Sequence, residues 1–357
     1  MIRLIIDEKN EGGRLDKYLR RHLPAASTGF LYKMLRKKNI TLNERKAAGN
    51  ELLKKGDEIR LFFSDETYEK LSASDKSQTS REISVKLPGS FIVYEDQNLI
   101  LINKPAGLLS QRDKSGDPSA NDYCLALLND RGEDMSALSK DFTPSVCNRL
   151  DRNTSGLMIF AKNYGAAREI GDALRERRIE KYYLALVKGR FPQETGGSVL
   201  LTGYLHKDTG KNLVTVTNHK EMIRPAETEI KTSYEALSFF DDFTLCKIRL
   251  FTGKSHQIRA QLSAEGHPVL GDPKYGDKTI NEALRKQYQI RGQLLHAWEL
   301  KMPVFSGVLK NISGRSFRAP LPDTFEKCGV REIQPGTGGD TVTDGNMEDQ
   351  GTAGIDA

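Results

Sequence analysis

N-R-L-D-R-N-T-S-G-L-M-I-F-A-K, residues 148–162, concentrates more chemistry than any other stretch of this chain. Arg149 and Arg152 flank Asp151, and Thr154-Ser155-Gly156 leads directly into an apolar run with strand character, Gly156–Lys162. An aspartate with a reference pKa of about 3.9 is ionised at neutral pH, and a neighbouring guanidinium favours the charged form further. Such a carboxylate at a strand entrance is a standing nucleophile or base. The plain alternative for an isolated R-x-D is a turn-capping aspartate paired with Arg152 on the surface, so the surrounding chain has to decide.

Outward from this segment, strand signals dominate residues 87–331. Phe91–Tyr94, Leu99–Asn103, Tyr182–Val187, Glu229–Leu237, Phe243–Phe251 and Leu295–Met302 are rich in β-branched and aromatic residues, with Asp241-Asp242 as a hairpin turn. Ala166, Ala167, Ile170, Ala173 and Leu174 give one helix, and Ile258 with Leu262 marks another. Many strands with few intervening helices predict an α+β fold on a mixed, mainly antiparallel sheet.

Two more segments carry unusual choices. R-I-E-K-Y-Y-L-A-L-V-K-G, residues 178–189, reads as a strand with adjacent tyrosines behind several cations. Period-two alternation sends Tyr182 and Tyr183 to opposite faces, so one can offer a flat ring on which a base stacks, worth about 1–3 kcal/mol per base. L-F-T-G-K-S-H-Q-I-R-A-Q-L, residues 250–262, turns through Gly253 into a helix that places His256 and Arg259 three apart on one face. G-H-P-V-L-G-D-P-K-Y-G, residues 266–276, follows as a rigid Gly/Pro loop. His256, His267 and His296 lack the i, i+4 spacing of metal ligands, and no G-x-x-x-x-G-K-[ST] phosphate loop is present.

The whole chain has 357 residues and 40.0 kDa, a length that suggests two domains. Its uncharged apolar runs, such as 99–103, are far shorter than the roughly 18 residues of a membrane span, and Met1–Asp7 is no secretory leader. Cys124, Cys147, Cys246 and Cys328 are scattered, as expected of thiols in a reducing cytoplasm. A cytoplasmic protein is therefore expected, without a membrane partner. The formal net charge of +6 averages two unlike regions: no Lys or Arg follows Arg331, so residues 1–331 carry +12. A positive body favours a polyanionic partner.

That charge is densest near the N-terminus, where residues 12–62 hold 13 Lys/Arg against 5 Asp/Glu. Leu15, Tyr18, Leu19 and Leu23, then Phe30, Leu31, Met34 and Leu35, recur at helical spacing, with Ser27 or Thr28 as a cap. Strand-like pieces follow at Ile40–Asn43 and Glu58–Phe63. Lys33, Arg36 and Lys37 share a helix face, extended by Lys38, and no Asp or Glu lies between Asp16 and Glu44 to offset them. A surface of this kind suits phosphates. Residues 64–86, polar and Ser-rich, read as a flexible linker, and residues 332–357 as a disordered acidic tail.

Residues 12–63 resemble the S-four-type RNA-binding domain, through R-L-D-K-Y-L at 14–19, R-K-K-N at 36–39, T-L-N at 41–43 and K-G-D-E-I at 55–59. They depart from it at Ser27-Thr28-Gly29, where such domains usually carry Arg between serines. The larger region resembles the RluA family of RNA pseudouridine synthases. The likeness rests on R-L-D-x-x-T-S-G, K-x-Y-x-A-L-V-x-G and T-G-x-[ST]-H-Q-I-R in that order, with K-P-A-G-L at 104–108 and G-H-P-V-L-G-D-P-x-Y-G. It spans about residues 90–305.

The resemblance implies isomerisation of uridine within RNA, most simply large-subunit ribosomal RNA, with transfer RNA as the alternative substrate. Asp151 matches the family's catalytic carboxylate, which attacks the ribose anomeric carbon or abstracts the neighbouring proton. Tyr183 matches the tyrosine that stacks on the uracil, and Arg259 the arginine that ion-pairs with the aspartate. Arg149 matches the residue that fills the space of the extruded nucleotide, and Arg152 and His256 complete the substrate-binding set with Lys33, Arg36 and Lys37. No cofactor, metal or nucleotide is expected, and nothing demands more than a monomer. Asn148 stands where the family usually has His. A non-catalytic RNA-binding or ribosome-assembly protein, and a two-carboxylate glycosidic hydrolase, are the competing readings.

Overall fold

The computed structural model describes residues 1–7, 10–72, 91–132, 142–191, 197–208, 213–217 and 227–330, and divides into two compact units, 1–85 with 128–143 and 86–127 with 144–357.

The first unit holds β1 (Ile2–Ile5), α1 (Leu15–His22), α2 (Thr28–Arg36), β2 (Ile40–Leu42), β3 (Arg45–Lys46), β4 (Glu58–Leu61) and α3 (Asp65–Ser72). Its strands form an antiparallel sheet in the order β1-β4-β2-β3. The helical repeat seen in the sequence is the buried stripe: Leu15, Leu19, Leu31 and Leu35 pack with Ile40, Ile59 and Leu61 into one small core. Ser27 caps α2 by accepting from the Phe30 N–H at 3.2 Å. The polar stretch expected to be a linker opens with α3 instead. Ser64 caps the Thr67 N–H, Lys70 pairs with Glu66 one turn back, and Tyr68 and Leu71, three apart, pack on the core. Two apolar residues at the right spacing suffice to dock a helix that its composition hides. Residues 73–86 of that stretch, and the acidic tail, lie outside the described residues.

The second unit carries β5 (Ile92–Glu95), β6 (Leu99–Lys104), α4 (Ala120–Asp130), β7 (Ser145–Val146), β8 (Ser155–Ala161), α5 (Tyr164–Arg175) and β9 (Glu180–Lys188). It continues with β10 (Ser198–Asp208), β11 (Leu213–Thr217), β12 (Thr228–Phe239), β13 (Phe243–Leu250), α6 (Gln257–Ala264) and α7 (Lys278–Tyr288), and ends in β14 (Leu295–Lys301), β15 (Ser316–Arg318) and α8 (Asp323–Glu326). The strands form one sheet, β11-β10-β12-β13-β9-β14-β8-β6-β5, with β15 on β14 and β7 on β8. Its pairs are antiparallel except β14 with β8. The fold is α+β on a mixed, mainly antiparallel sheet, and β12 and β13 are joined at Asp241-Asp242.

β6 and β8 are continuous apolar runs because both faces of these central strands are covered: Leu99 to Ile102 and Met158 to Ala161 are fully buried. α5 lays Ala166, Ile170 and Ala173 against this part of the sheet, an i, i+4, i+7 stripe. The parallel strand pairing, His296 beside Ser155 and Ala297 beside Gly156, sits directly after the Asp151 turn. There the two backbones approach so closely that a Cβ on Gly156 would lie 2.2 Å from the Ala297 carbonyl oxygen, and Gly156 also has a φ of +109°. Only glycine satisfies both demands.

Candidate active site

Asp151 occupies the turn between β7 and β8, and that turn is held on every side. On the upstream flank, buried Ser110 grips Leu150 twice, donating to its carbonyl at 2.7 Å and accepting from its N–H at 2.9 Å. On the downstream flank, the Arg152 carbonyl accepts from the Gly107 N–H and from the Lys104 ammonium, both at 2.9 Å. Lys104 spends its other donors on the Pro105 and Leu108 carbonyls. Burial pulls this ammonium down to about 7, opposed by the charge of Asp151.

The T-S-G triplet then fastens the turn to the entrance of β14. Gln293 Nε2 donates to Thr154 Oγ1 at 3.1 Å, Ser155 Oγ meets His296 Nδ1 at 2.9 Å, and Gly156 admits the β14 backbone. Asn148 lines the cleft as well, and its Oδ1 accepts from the Ile159 N–H of β8 at 2.8 Å, which ties the motif entrance to that strand.

Arg259, on α6, is the partner of Asp151. Its Nη1 donates to Asp151 Oδ2 at 2.8 Å. Its Nε and Nη2 form a fork with Asp272 at 2.6 and 2.8 Å, a bidentate pair that fixes the guanidinium plane. Asp272 is fully buried and also accepts from the Lys274 and Tyr275 N–H groups. Burial works against the Arg259 charge, but Asp272 and Asp151 outweigh it and hold the guanidinium above its ordinary value. Asp151 therefore does not pair with Arg152, which instead reaches Asp117 at 2.9 Å and the Gly107 carbonyl at 3.0 Å.

These groups line one cleft of about 860 Å³ that contains Asp151, Tyr183, His256 and Arg259 together with Arg149 and Arg152. Tyr183 projects from β9 onto the cleft side, and burial, reinforced by the charge of Asp151, raises its hydroxyl well above the usual phenol range. It stays protonated throughout the physiological range. Tyr182 faces the other way, its hydroxyl donating to Glu180 at 2.7 Å and its ring beneath Lys247, Arg249 and Lys301. His256 stands just before α6 in the left-handed conformation, bonded through Nδ1 to the Tyr275 hydroxyl at 2.9 Å, and burial lowers it despite the pull of Asp151. The same Tyr275 hydroxyl accepts from the Val214 N–H of β11.

His267 and His296 lie on separate partners, the Lys188 carbonyl and Ser155. In the first unit, Lys33, Arg36 and Lys37 are all exposed at the end of α2. Asp272, Lys104 and Ser110 were not singled out by the sequence reading. The first two do stand in segments it marked, the rigid 266–276 loop and K-P-A-G-L. A buried carboxylate facing an arginine thirteen residues upstream leaves no local periodicity to find.

Fold and cleft together define an α+β protein with an enzyme-like site, an ion-paired carboxylate, a protonated phenol and a ring of cations in one depression. Comparison with known proteins agrees. The family model described as RNA pseudouridylate synthase matches residues 98–264. An uncharacterized RNA pseudouridine synthase of Mycoplasma genitalium is 30% identical over 331 residues, 91% of this chain and 97% of the relative. Ribosomal large subunit pseudouridine synthase C of Rickettsia bellii is 34% identical over 271 residues, 75% of this chain and 84% of the relative. Synthase D of Nitrosomonas europaea is 30% identical over 328 residues, covering 90% and 85%. Human RNA Pseudouridylate Synthase Domain Containing 4, a solved structure, aligns at 25% identity with a TM-score of 0.47 over 66% of this chain and 90% of its own. The chain belongs to the RluA family of RNA pseudouridine synthases, isomerases that act on RNA. Among the described residues no helix is long and apolar enough to cross a membrane.

Proposed function

We propose that this synthase isomerises uridine to pseudouridine in large-subunit ribosomal RNA, with Asp151 as its catalytic carboxylate. The observation that carries the reading is the geometry of Arg259. Two of its donors are locked on buried Asp272, and the third is aimed at Asp151 in the cleft that Tyr183 lines. Among the described residues Asp151 Oδ1 has no hydrogen-bond partner, which leaves it for the substrate ribose. The reaction breaks the bond between the ribose anomeric carbon and the ring nitrogen, rotates the uracil, and closes a carbon–carbon bond. The proton displaced from the ring carbon is balanced by one gained at the freed nitrogen. Asp151 starts it by attacking the anomeric carbon or by removing the neighbouring proton. Tyr183 provides the ring on which the uracil stacks and a hydroxyl that transfers a proton. Arg149 fills the place of the flipped nucleotide, whose extrusion costs a few kcal/mol, and Arg152 and His256 bind the RNA around it.

The names of the relatives support ribosomal RNA as the substrate class. We read the first unit as an S-four-type RNA-binding domain. Its helices α1 and α2 packed with a small sheet, with Lys33, Arg36 and Lys37 exposed and without an ion pair among the described residues, suit a phosphate backbone. The working protein on this reading is a cytoplasmic monomer. The test is deletion of the gene in its host with pseudouridine mapping by carbodiimide across ribosomal and transfer RNA. Loss of one or a few large-subunit sites, restored by wild type but not by Asp151→Ala, is expected. Restoration by Asp151→Ala would remove the aspartate from the chemistry, and loss confined to transfer RNA would move the substrate.

A further inference from the structure

Several cations in the cleft have no ion-pair partner among the described residues, and two of them stand together. Lys181, on β9, lies two residues before Tyr183 and so projects to the same side of the sheet, where both line the cleft. It is largely buried, yet its ammonium makes no hydrogen bond or ion pair among the described residues. Asp151 does not serve it, because that carboxylate is held by Arg259. The second cation is Arg177, which lines the same cleft, is exposed, and likewise has no ion pair among the described residues. Burial lowers the Lys181 ammonium, and Arg177 stands close enough for its charge to lower it further. Two like charges brought together in a partly desolvated place repel each other until an anion lies between them.

Two backbone features point the same way. Arg177 follows the end of α5 with a φ of +58°, the left-handed position that closes a helix and that glycine or asparagine ordinarily fills. An arginine there sits against its own backbone preference. Gly253 lies against the Lys181 ammonium: a Cβ at that position would be 3.5 Å from Nζ, and the bare backbone leaves the charge uncovered.

We propose that Lys181 and Arg177 form an anion seat for one phosphodiester of the substrate strand, next to the nucleotide that enters the cleft. The inference rests on the RNA-isomerase reading given above. It assigns both residues a binding role, separate from the carboxylate chemistry.

The test uses the full-length protein and host large-subunit ribosomal RNA transcribed without modification, with pseudouridine formation followed across a salt series. Lys181→Met is expected to raise KM about tenfold and to flatten the dependence of log KM on log salt by about one unit, as loss of one phosphate contact does. Lys181→Arg is expected to restore most of both. Arg177→Gly, which relieves the left-handed backbone, is expected to melt no lower than wild type while raising KM several-fold. Unchanged KM and salt slope in Lys181→Met and in Arg177→Gly, with an active wild type, would overturn the anion seat and leave the isomerase reading standing. An inactive wild type would overturn the substrate reading, and the seat with it.

Discussion

Arg259 gives two of its three hydrogen-bonding nitrogens to Asp272 and one to Asp151. The buried carboxylate thus decides where the half-buried one can be held. A lysine could supply the charge but not the fork. The first prediction follows: Asp272→Asn keeps the volume and removes the counter-charge from a buried guanidinium. Breaking a buried pair in this way costs about 3–5 kcal/mol, read by urea denaturation. Pseudouridine formation should fall about a hundredfold even where the variant remains folded. Wild-type turnover in this variant would mean that Asp151 is positioned by something other than Arg259.

Gly156→Ala tests the parallel seam. The added methyl meets the Ala297 backbone, and the backbone angle is unfavourable for alanine. Overpacking and left-handed strain together are expected to destabilise by about 3 kcal/mol or more. Equilibrium unfolding measures it, and a loss under 1 kcal/mol would refute the close approach.

His296 predicts an acid limb of stability. It is fully buried, bonded to Ser155, and burial pushes it from 6.5 down to about 4. Between those values the unfolded chain binds a proton that the folded chain refuses. Its contribution is therefore complete above pH 6.5 and is lost as pH falls towards 4. At about 1.4 kcal/mol per unit, wild type should lose roughly 3 kcal/mol across that window. His296→Gln should lose correspondingly less, and equal slopes for the two proteins would contradict the assignment.

The exposed cations of α2 give a prediction of another kind. Replacing Lys33, Arg36 and Lys37 together by Ala touches no core residue, so the melting temperature should stay within about 2 °C. Affinity for ribosomal RNA should drop, and the slope of log K against log salt should fall by about two to three. Filter binding across a salt series measures this. An unchanged slope would place the RNA elsewhere.

Much of the second unit was legible because its strands are runs of β-branched and aromatic residues, and because Asp151, Tyr183 and Arg259 stand in segments of distinct composition. The structure brings these three into one cleft. The arm of β10 and β11 was not read, since Ser198–Asp208 mixes polar and apolar residues without a clean alternation. α3 was hidden by polar neighbours, and α7 by a surface with one fully buried residue, Leu284. The roles of Asp272, Lys104 and Ser110 depend on contacts 13 to 48 residues apart along the chain. Pattern within a window of a few turns cannot register those. Asn148 shows the reverse: the departure is visible in the motif, but its bond to the β8 backbone at the wall of the cleft is not.

The seam between Gly156 and β14 also fixes when the cleft can exist during synthesis. Its two sides lie 141 residues apart, and a ribosome adding about 5–20 residues per second needs roughly 7 to 28 seconds to cross that gap. A nascent chain that has emerged only as far as Arg259 already contains Asp151, Tyr183 and Arg259, yet the turn that carries the aspartate still lacks its β14 wall. Emergence of β14, rather than translation of the motifs, is then the event that switches the enzyme on. A message cut short in that region would yield a protein with a complete signature and no working site.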